Sequence, residues 1–204
     1  HTDVQVLAVK PQYFSQVLPD IVPLVSEDTH ILSIMAGITT QRIEQALGVK
    51  AHVVRVMPNT PALVGSGTTA ICAGSYADEA DLALARQIFA AVGSVVQVEE
   101  RLINAVSGVS GCGPAYIYVI IQALADGGVR MGLSRKLALQ LAAETVRGAA
   151  QMVLESGEHP ESLKDKVCSP GGTTIEAMYA LEKAGLRFAM MEAVAVSTQK
   201  AEQL

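Results

Sequence analysis

In the stretch Val167-Cys168-Ser169-Pro170-Gly171-Gly172-Thr173-Thr174-Ile175-Glu176, hydroxyl side chains flank a proline and two glycines. Pro170 fixes one backbone angle, while Gly171 and Gly172 permit conformations that a side chain forbids and let a ligand approach the main chain. Thr173 and Glu176 have S/T-x-x-E spacing, which predicts a capping box and a helix start at about Thr173. A helix start presents unpaired N–H donors and a partial positive charge, a receptor for a small anion such as a carboxylate, with Ser169 and Thr174 adding hydroxyls beside it. The same residues also suit an ordinary Pro-Gly-Gly turn ahead of a capped helix, and from the loop alone that commoner reading is favoured.

Other residues able to do chemistry are scattered. Cys72, Cys112 and Cys168 are far apart and odd in number, so they spell neither a disulfide framework nor a zinc-ligand pattern, and a reducing compartment fits them. Cys168 is read as packing, because no partnering histidine is placed beside it. His30 and His52 fall at predicted strand starts and read as structural, and His159, ahead of Pro160, reads as a helix cap. Asp126 and Arg130, spaced i,i+4, are expected to pair on one helix. No metal site is expected.

The elements that must position these residues follow from the apolar pattern. Val4 to Val9, His30 to Met35, His52 to Met57, Thr68 to Cys72 and Val95 to Val98 are short, β-rich runs that read as strands. Between them lie a helix within Tyr13 to Val25, one capped by Thr39 or Thr40 and closed by Gly48, and one capped by Asp78 and running from Glu79 to Val92. Alternation of this kind predicts an α/β layer on a largely parallel sheet.

The character changes at Glu99-Glu100, beyond which no strand is expected. The glycine- and serine-rich stretch from Asn104 to Gly113 leads to a helix opened by Pro114 and ending near Met131. Further helices are expected over 135–155, 160–166, 174–183 and 186–204. Several are apolar on more than one face: Ile117, Val119, Ile120, Ile121, Ala123 and Leu124 cover nearly the whole circumference of one, and Phe188, Met190, Met191, Val194 and Val196 crowd the last. Either a buried central helix or an obligate dimer of intertwined helices would hide this surface, and the small amount of surrounding sequence favours the dimer.

With 204 residues, half of them hydrophobic, the chain can build a substantial core; with a net charge of -5 it does not suit a nucleic-acid or anionic-membrane partner. The most apolar run, Ala115 to Ala125, is too short to span a bilayer and contains Gln122. No signal peptide is read at the start, and a cytoplasmic location is expected.

The loop sequence VCSPGGTTIEA resembles the signature of the pyrroline-5-carboxylate reductases. Leu7-Ala8-Val9-Lys10-Pro11, Met35-Ala36-Gly37-Ile38-Thr39, Met57-Pro58-Asn59-Thr60-Pro61, Gly108 to Tyr116, Ala125 to Val129 and Gly157-Glu158-His159-Pro160 look like further motifs of that family, in its order. The resemblance covers essentially the whole chain. It implies a Rossmann-like α/β domain over 1–99, incomplete because the family's opening glycine-rich βαβ segment has no counterpart before His1, and an all-α dimerisation and substrate domain over 100–204.

It further implies reduction of 1-pyrroline-5-carboxylate to L-proline, the last step of proline biosynthesis, with NADPH or NADH as hydride source. Ser169, Gly171, Gly172, Thr173 and Thr174 would hold the substrate carboxylate, and Thr174 would partner the imine nitrogen. Ala8, Val9, Lys10, Pro11, Met35, Ala36, Gly37, Asn59 and Glu100 would contact the cofactor, with Lys166 within reach of the nucleotide. The partners implied are the small-molecule substrate and a second copy of the chain, larger assemblies remaining open. Two alternatives stand beside this. One is a 3-hydroxyacid dehydrogenase type of reductase, whose catalytic lysine has no counterpart in Pro114 to Met131. The other is a non-catalytic helical dimer module.

Overall fold

A computed structural model describes residues 3–203. Five strands, β1 (Val4–Leu7), β2 (His30–Ser33), β3 (His52–Met57), β4 (Gly67–Ala73) and β5 (Gly93–Gln97), form one sheet in the order β1-β2-β3-β4-β5. β1, β2 and β3 run parallel, β3 and β4 antiparallel, and β4 and β5 parallel. The central strands are buried nearly throughout, as their continuous apolar runs require of a sheet covered on both faces.

The helices of this part are α1 (Phe14–Ile21), α2 (Thr40–Leu47) and α3 (Glu79–Ala90). The Thr39 hydroxyl caps α2 by accepting from the Arg42 N–H, and Gly48, at φ +69°, ends it. Asp78 and Asp81 make a reciprocal capping box on α3. One face of the sheet packs Leu7, Ile31, Val53, Phe14, Met35, Ile38, Ile43 and Leu47 together; Leu32, Val54, Val56 and Ile71 pack with Leu82 and Ala85.

The glycine- and serine-rich stretch from Asn104 to Gly113, placed ahead of the helix expected to open at Pro114, is itself helical apart from Cys112. α4 (Ile103–Val106) continues through a π-helical turn at Ser107–Gly111 into α5 (Gly113–Arg130). The glycines serve close approach and not chain reversal. A Cβ on Gly108 would sit 2.4 Å from the Thr198 hydroxyl and 3.0 Å from the Val194 carbonyl, and one on Gly111 3.2 Å from the Met57 methyl. Taken as a whole, the helical run Glu100–Arg130 is long and apolar enough to cross a membrane by length and composition, which the short apolar run alone had not suggested.

The remaining helices are α6 (Arg135–Ser156), α7 (Pro160–Lys166), α8 (Thr173–Lys183) and α9 (Leu186–Ala201). Spatial proximity groups residues 3–114 with 193–203 as one compact unit and 115–192 as another. In the second unit the buried residues are small: Ala125, Ala138 and Ala142, with Ile121 and Val129 partly buried against them. Gly128 lies where a Cβ would come within 3.2 Å of the Ala138 methyl, so α5 and α6 meet along small residues. Asp126 binds Gln122 and Arg135, not the expected Arg130.

Candidate functional site

The turn at 169–172 has the backbone that its residues dictate. The Gly172 N–H donates to the Ser169 carbonyl at 3.0 Å, closing a four-residue turn with Pro170 and Gly171 at its centre and Gly171 at φ +64°. That conformation suits glycine at the third position and proline at the second. Gly172 is itself the N-cap of α8, with φ -80° and ψ 170°. The expected capping box is therefore absent: Thr173 already occupies the first helical position, and no side chain caps the helix. A glycine cap leaves the first N–H groups of α8, from Thr173 onward, without a side chain folded over them. A Cβ added to Gly172 would lie 2.3 Å from the Ser169 hydroxyl oxygen and 3.2 Å from the Ser169 carbonyl. The Ser169 hydroxyl thus stands against the helix entrance, and Thr174 is half-buried one residue inside it.

Near this turn, His159 caps α7 as expected, its Nδ1 accepting from the Glu161 N–H at 3.2 Å. Lys166 is engaged by Glu158 at 2.7 Å, so its ammonium is directed to that carboxylate. Glu161 receives both Lys164, at 2.7 Å, and Arg187, at 2.8 Å, and these two cations draw its carboxyl down to about 2.

In the sheet unit, the parallel arrangement brings three expected loops to one edge. Ala8 to Pro11 follow β1, Met35 to Gly37 follow β2, and Pro58-Asn59 follow β3. Ala8 and Lys10 are exposed and Gly37 takes φ +72°. Main-chain groups at the carboxyl ends of parallel strands, with one ammonium among them, suit the chemistry of an extended anionic dinucleotide. Three of the expected residues, Met35, Asn59 and Glu100, are less available than their position suggested. The Met35 side chain lies in the core, 1% exposed, and its N–H faces the Ser33 hydroxyl at 3.4 Å. The Asn59 amide is tied at both ends, donating to the Ser110 carbonyl at 3.0 Å and accepting from the Thr68 N–H at 2.8 Å.

Glu100 is a hub within the same unit. Its carboxylate accepts from the Thr40 N–H at 2.8 Å, from the Thr40 hydroxyl at 2.6 Å, and from Arg55 at 3.3 Å. Arg55 is buried and opposite Cys72 in the strand register. Burial, reinforced by the Glu100 charge and only partly offset by Arg55, pushes the Cys72 thiol up to about 12, so it remains a thiol. The network joining Thr40, Arg55 and Glu100 was invisible in the sequence, since its members are separated by many residues and only Glu100 was singled out, as an implied cofactor contact.

Another grouping that sequence reasoning missed is His30, His52 and Asp81, whose ligating atoms lie within 4.8 Å of one another. The available signal was the placement of a histidine at the first position of each of two neighbouring strands.

Comparison with known proteins agrees with this architecture. Residues 100–204 match the family model described as pyrroline-5-carboxylate reductase dimerisation. The chain is 48% identical over 203 residues to a pyrroline-5-carboxylate reductase of Synechocystis sp., and 47% identical to that of Methanosarcina acetivorans; each match covers 100% of this chain and 75% of the relative. A crystal structure of Plasmodium falciparum pyrroline carboxylate reductase with NADP bound superimposes with a TM-score of 0.92 at 36% identity, covering 100% of this chain and 77% of that one.

Proposed function

The chain belongs to the pyrroline-5-carboxylate reductase family, and from that premise we propose how its own residues divide the work. The reaction is reduction of 1-pyrroline-5-carboxylate to L-proline, the last step of proline biosynthesis. When bound, NAD(P)H supplies the hydride that reduces the carbon–nitrogen double bond.

The carboxylate is the orienting handle of so small a substrate. The N–H groups at the start of α8, left open by the Gly172 cap, receive it, aided by the Ser169 hydroxyl. Gly171 and Gly172 keep the approach clear, and a side chain at Gly172 would collide with the Ser169 hydroxyl that takes part. Thr174 positions the ring nitrogen by a hydrogen bond; a threonine hydroxyl is too weak an acid to be the proton source, so its contribution is orientation. Ala8, Val9, Lys10, Pro11, Ala36 and Gly37 hold the cofactor through main chain and the Lys10 ammonium. Met35, Asn59 and Glu100 act one step back, as the supports that fix those loops.

The segment 100–204 carries the family's dimerisation domain, and we take 1–99 as the dinucleotide-binding domain. Exposed apolar side chains on α5 and α9, including Val119, Phe188 and Met191, are the faces assigned to the partner copy. Hiding the apolar run 100–130 in a dimer accounts for its composition without a membrane. Cytoplasmic residence, and the absence of a nucleic-acid partner, fit the acidic charge balance.

The single observation that carries the carboxylate assignment is the glycine-capped, side-chain-free start of α8 behind a Pro-Gly turn. Its test is oxidation of NADPH or NADH by the purified protein. Pyrroline-5-carboxylate should be turned over and 3-hydroxyacids should not, and Thr174→Ala should slow turnover. Equal turnover by wild type and Thr174→Ala would remove Thr174 from the mechanism, and proline binding without turnover would favour a silent dimer module.

A further inference from the structure

We propose that His30, His52 and Asp81 form a binding site for a divalent transition-metal ion, typified by zinc, at the amino-terminal edge of the parallel strands. None of these three residues has a part in the reduction proposed above.

The site is assembled by the fold. His30 and His52 are the first residues of β2 and β3 and face each other directly in the parallel register. Their rings meet edge to face, with centroids 5.4 Å apart. Each turns its Nδ1 towards the same carboxylate: His52 reaches Oδ2 of Asp81 at 2.8 Å, and His30 reaches Oδ1. Asp81 is 2% exposed and is fixed from behind, where its Oδ2 accepts the Asp78 N–H at 2.7 Å in the capping box of α3. Three elements thus deliver three ligating atoms to one point, and a backbone donor locks the carboxylate as an outer partner would.

The donor set is two imidazoles and one carboxylate, a borderline combination suited to zinc and its neighbours and not to calcium or magnesium. The histidine side chains are 33% and 30% exposed, so water can complete a fourth position. Ligands about 2 Å from a tetrahedral ion lie about 3.3 Å apart. With Oδ2 as the ligand, the His52–Asp81 pair, 2.8 Å apart, opens by only about half an ångström to reach that spacing, and Oδ2 keeps its bond to the Asp78 N–H through its other lone pair, while His30 turns from Oδ1 to the metal. The Nδ1 protons move to Nε2, which the partial exposure of both rings allows.

A metal here would clamp β2, β3 and α3 together. Five residue steps along β3 separate His52 from Met57, about 17 Å at the usual rise, so the ion sits far from the cofactor edge. Its effect is on stability, with hydride transfer unchanged.

The test uses chelator-treated protein with zinc chloride as the probe. Calorimetric titration should show saturable uptake of one ion per chain, and zinc at about a hundred times Kd should raise Tm by about 5 °C. His52→Gln and His30→Gln should each weaken binding by at least about tenfold. Should either variant fold poorly, the wild type still decides the matter: on adding zinc, the histidine ring resonances of His30 and His52 should shift in NMR spectra while that of His159 stays put. No saturable uptake, unchanged affinity in both folded variants, or shifts confined to His159 would overturn the proposal and leave the trio as a hydrogen-bonded clamp alone.

Discussion

The sheet unit and the helical unit reach stability by different means. In the first, Ile31, Leu32, Val53, Val54, Val56 and Ile71 are essentially inaccessible, and helices close over them. In the second, the fully buried side chains are alanines, while Val119 is 69% exposed, Phe188 70% and Met191 72%. Burying a large apolar side chain contributes roughly 1.5–3 kcal/mol, so the sheet unit collects that gain within one chain. The helical unit leaves most of it to be collected from a second copy. A family dimerisation domain over 100–204 is what such a surface requires.

The largest way to break this contrast is to charge the exposed helices. Val119→Glu with Phe188→Glu should convert the dimer to a monomer in sedimentation experiments and abolish turnover. A dimer that survives both charges would mean that the partner sits elsewhere. The matching change in the sheet unit, Ile71→Ala, should cost about 2–5 kcal/mol in chemical denaturation while leaving the dimer assembled.

Smaller effects sharpen the same division. Glu100→Gln weakens the bonds to Arg55 and Thr40 and should cost about 1.5–3 kcal/mol. It should also lower the pKa of the Cys72 thiol, because the Glu100 charge helps hold it up. In the wild type, Cys72 should resist alkylation at pH 8. An unfolded thiol titrates near pH 8.5, whereas the native one holds its proton to about 12. The unfolded chain therefore binds fewer protons in that interval, and stability should fall as pH rises through it. Least of all, Thr39→Ala should cost about 1 kcal/mol through loss of the α2 cap.

Legibility in the sequence followed the same line. His52 to Met57 and Thr39 with Gly48 were readable because propensity or caps agree with burial there, and Pro160 to Lys166 because the proline at its start and His159 before it mark a helix entrance. The helical form of 104–113 was not legible because Gly108 and Gly111 signal turns locally, while their use is to let α9 and Met57 approach. Thr173 was misread as a cap because its spacing to Glu176 was right and the preceding glycine took the position. His30, His52 and Asp81 could not be joined from sequence, since strand register decides which histidines become neighbours. The position of the 169–174 turn was legible; its open N–H groups needed the backbone.

The most direct test of the central claim is the kinetics and L-proline affinity of Gly172→Val, a substitution confined to the entrance of α8. The dimer and fold should be unchanged, with saturable proline binding lost and the KM for pyrroline-5-carboxylate raised beyond measurement. A folded Gly172→Val protein that binds proline and reduces the imine with wild-type KM would contradict that claim.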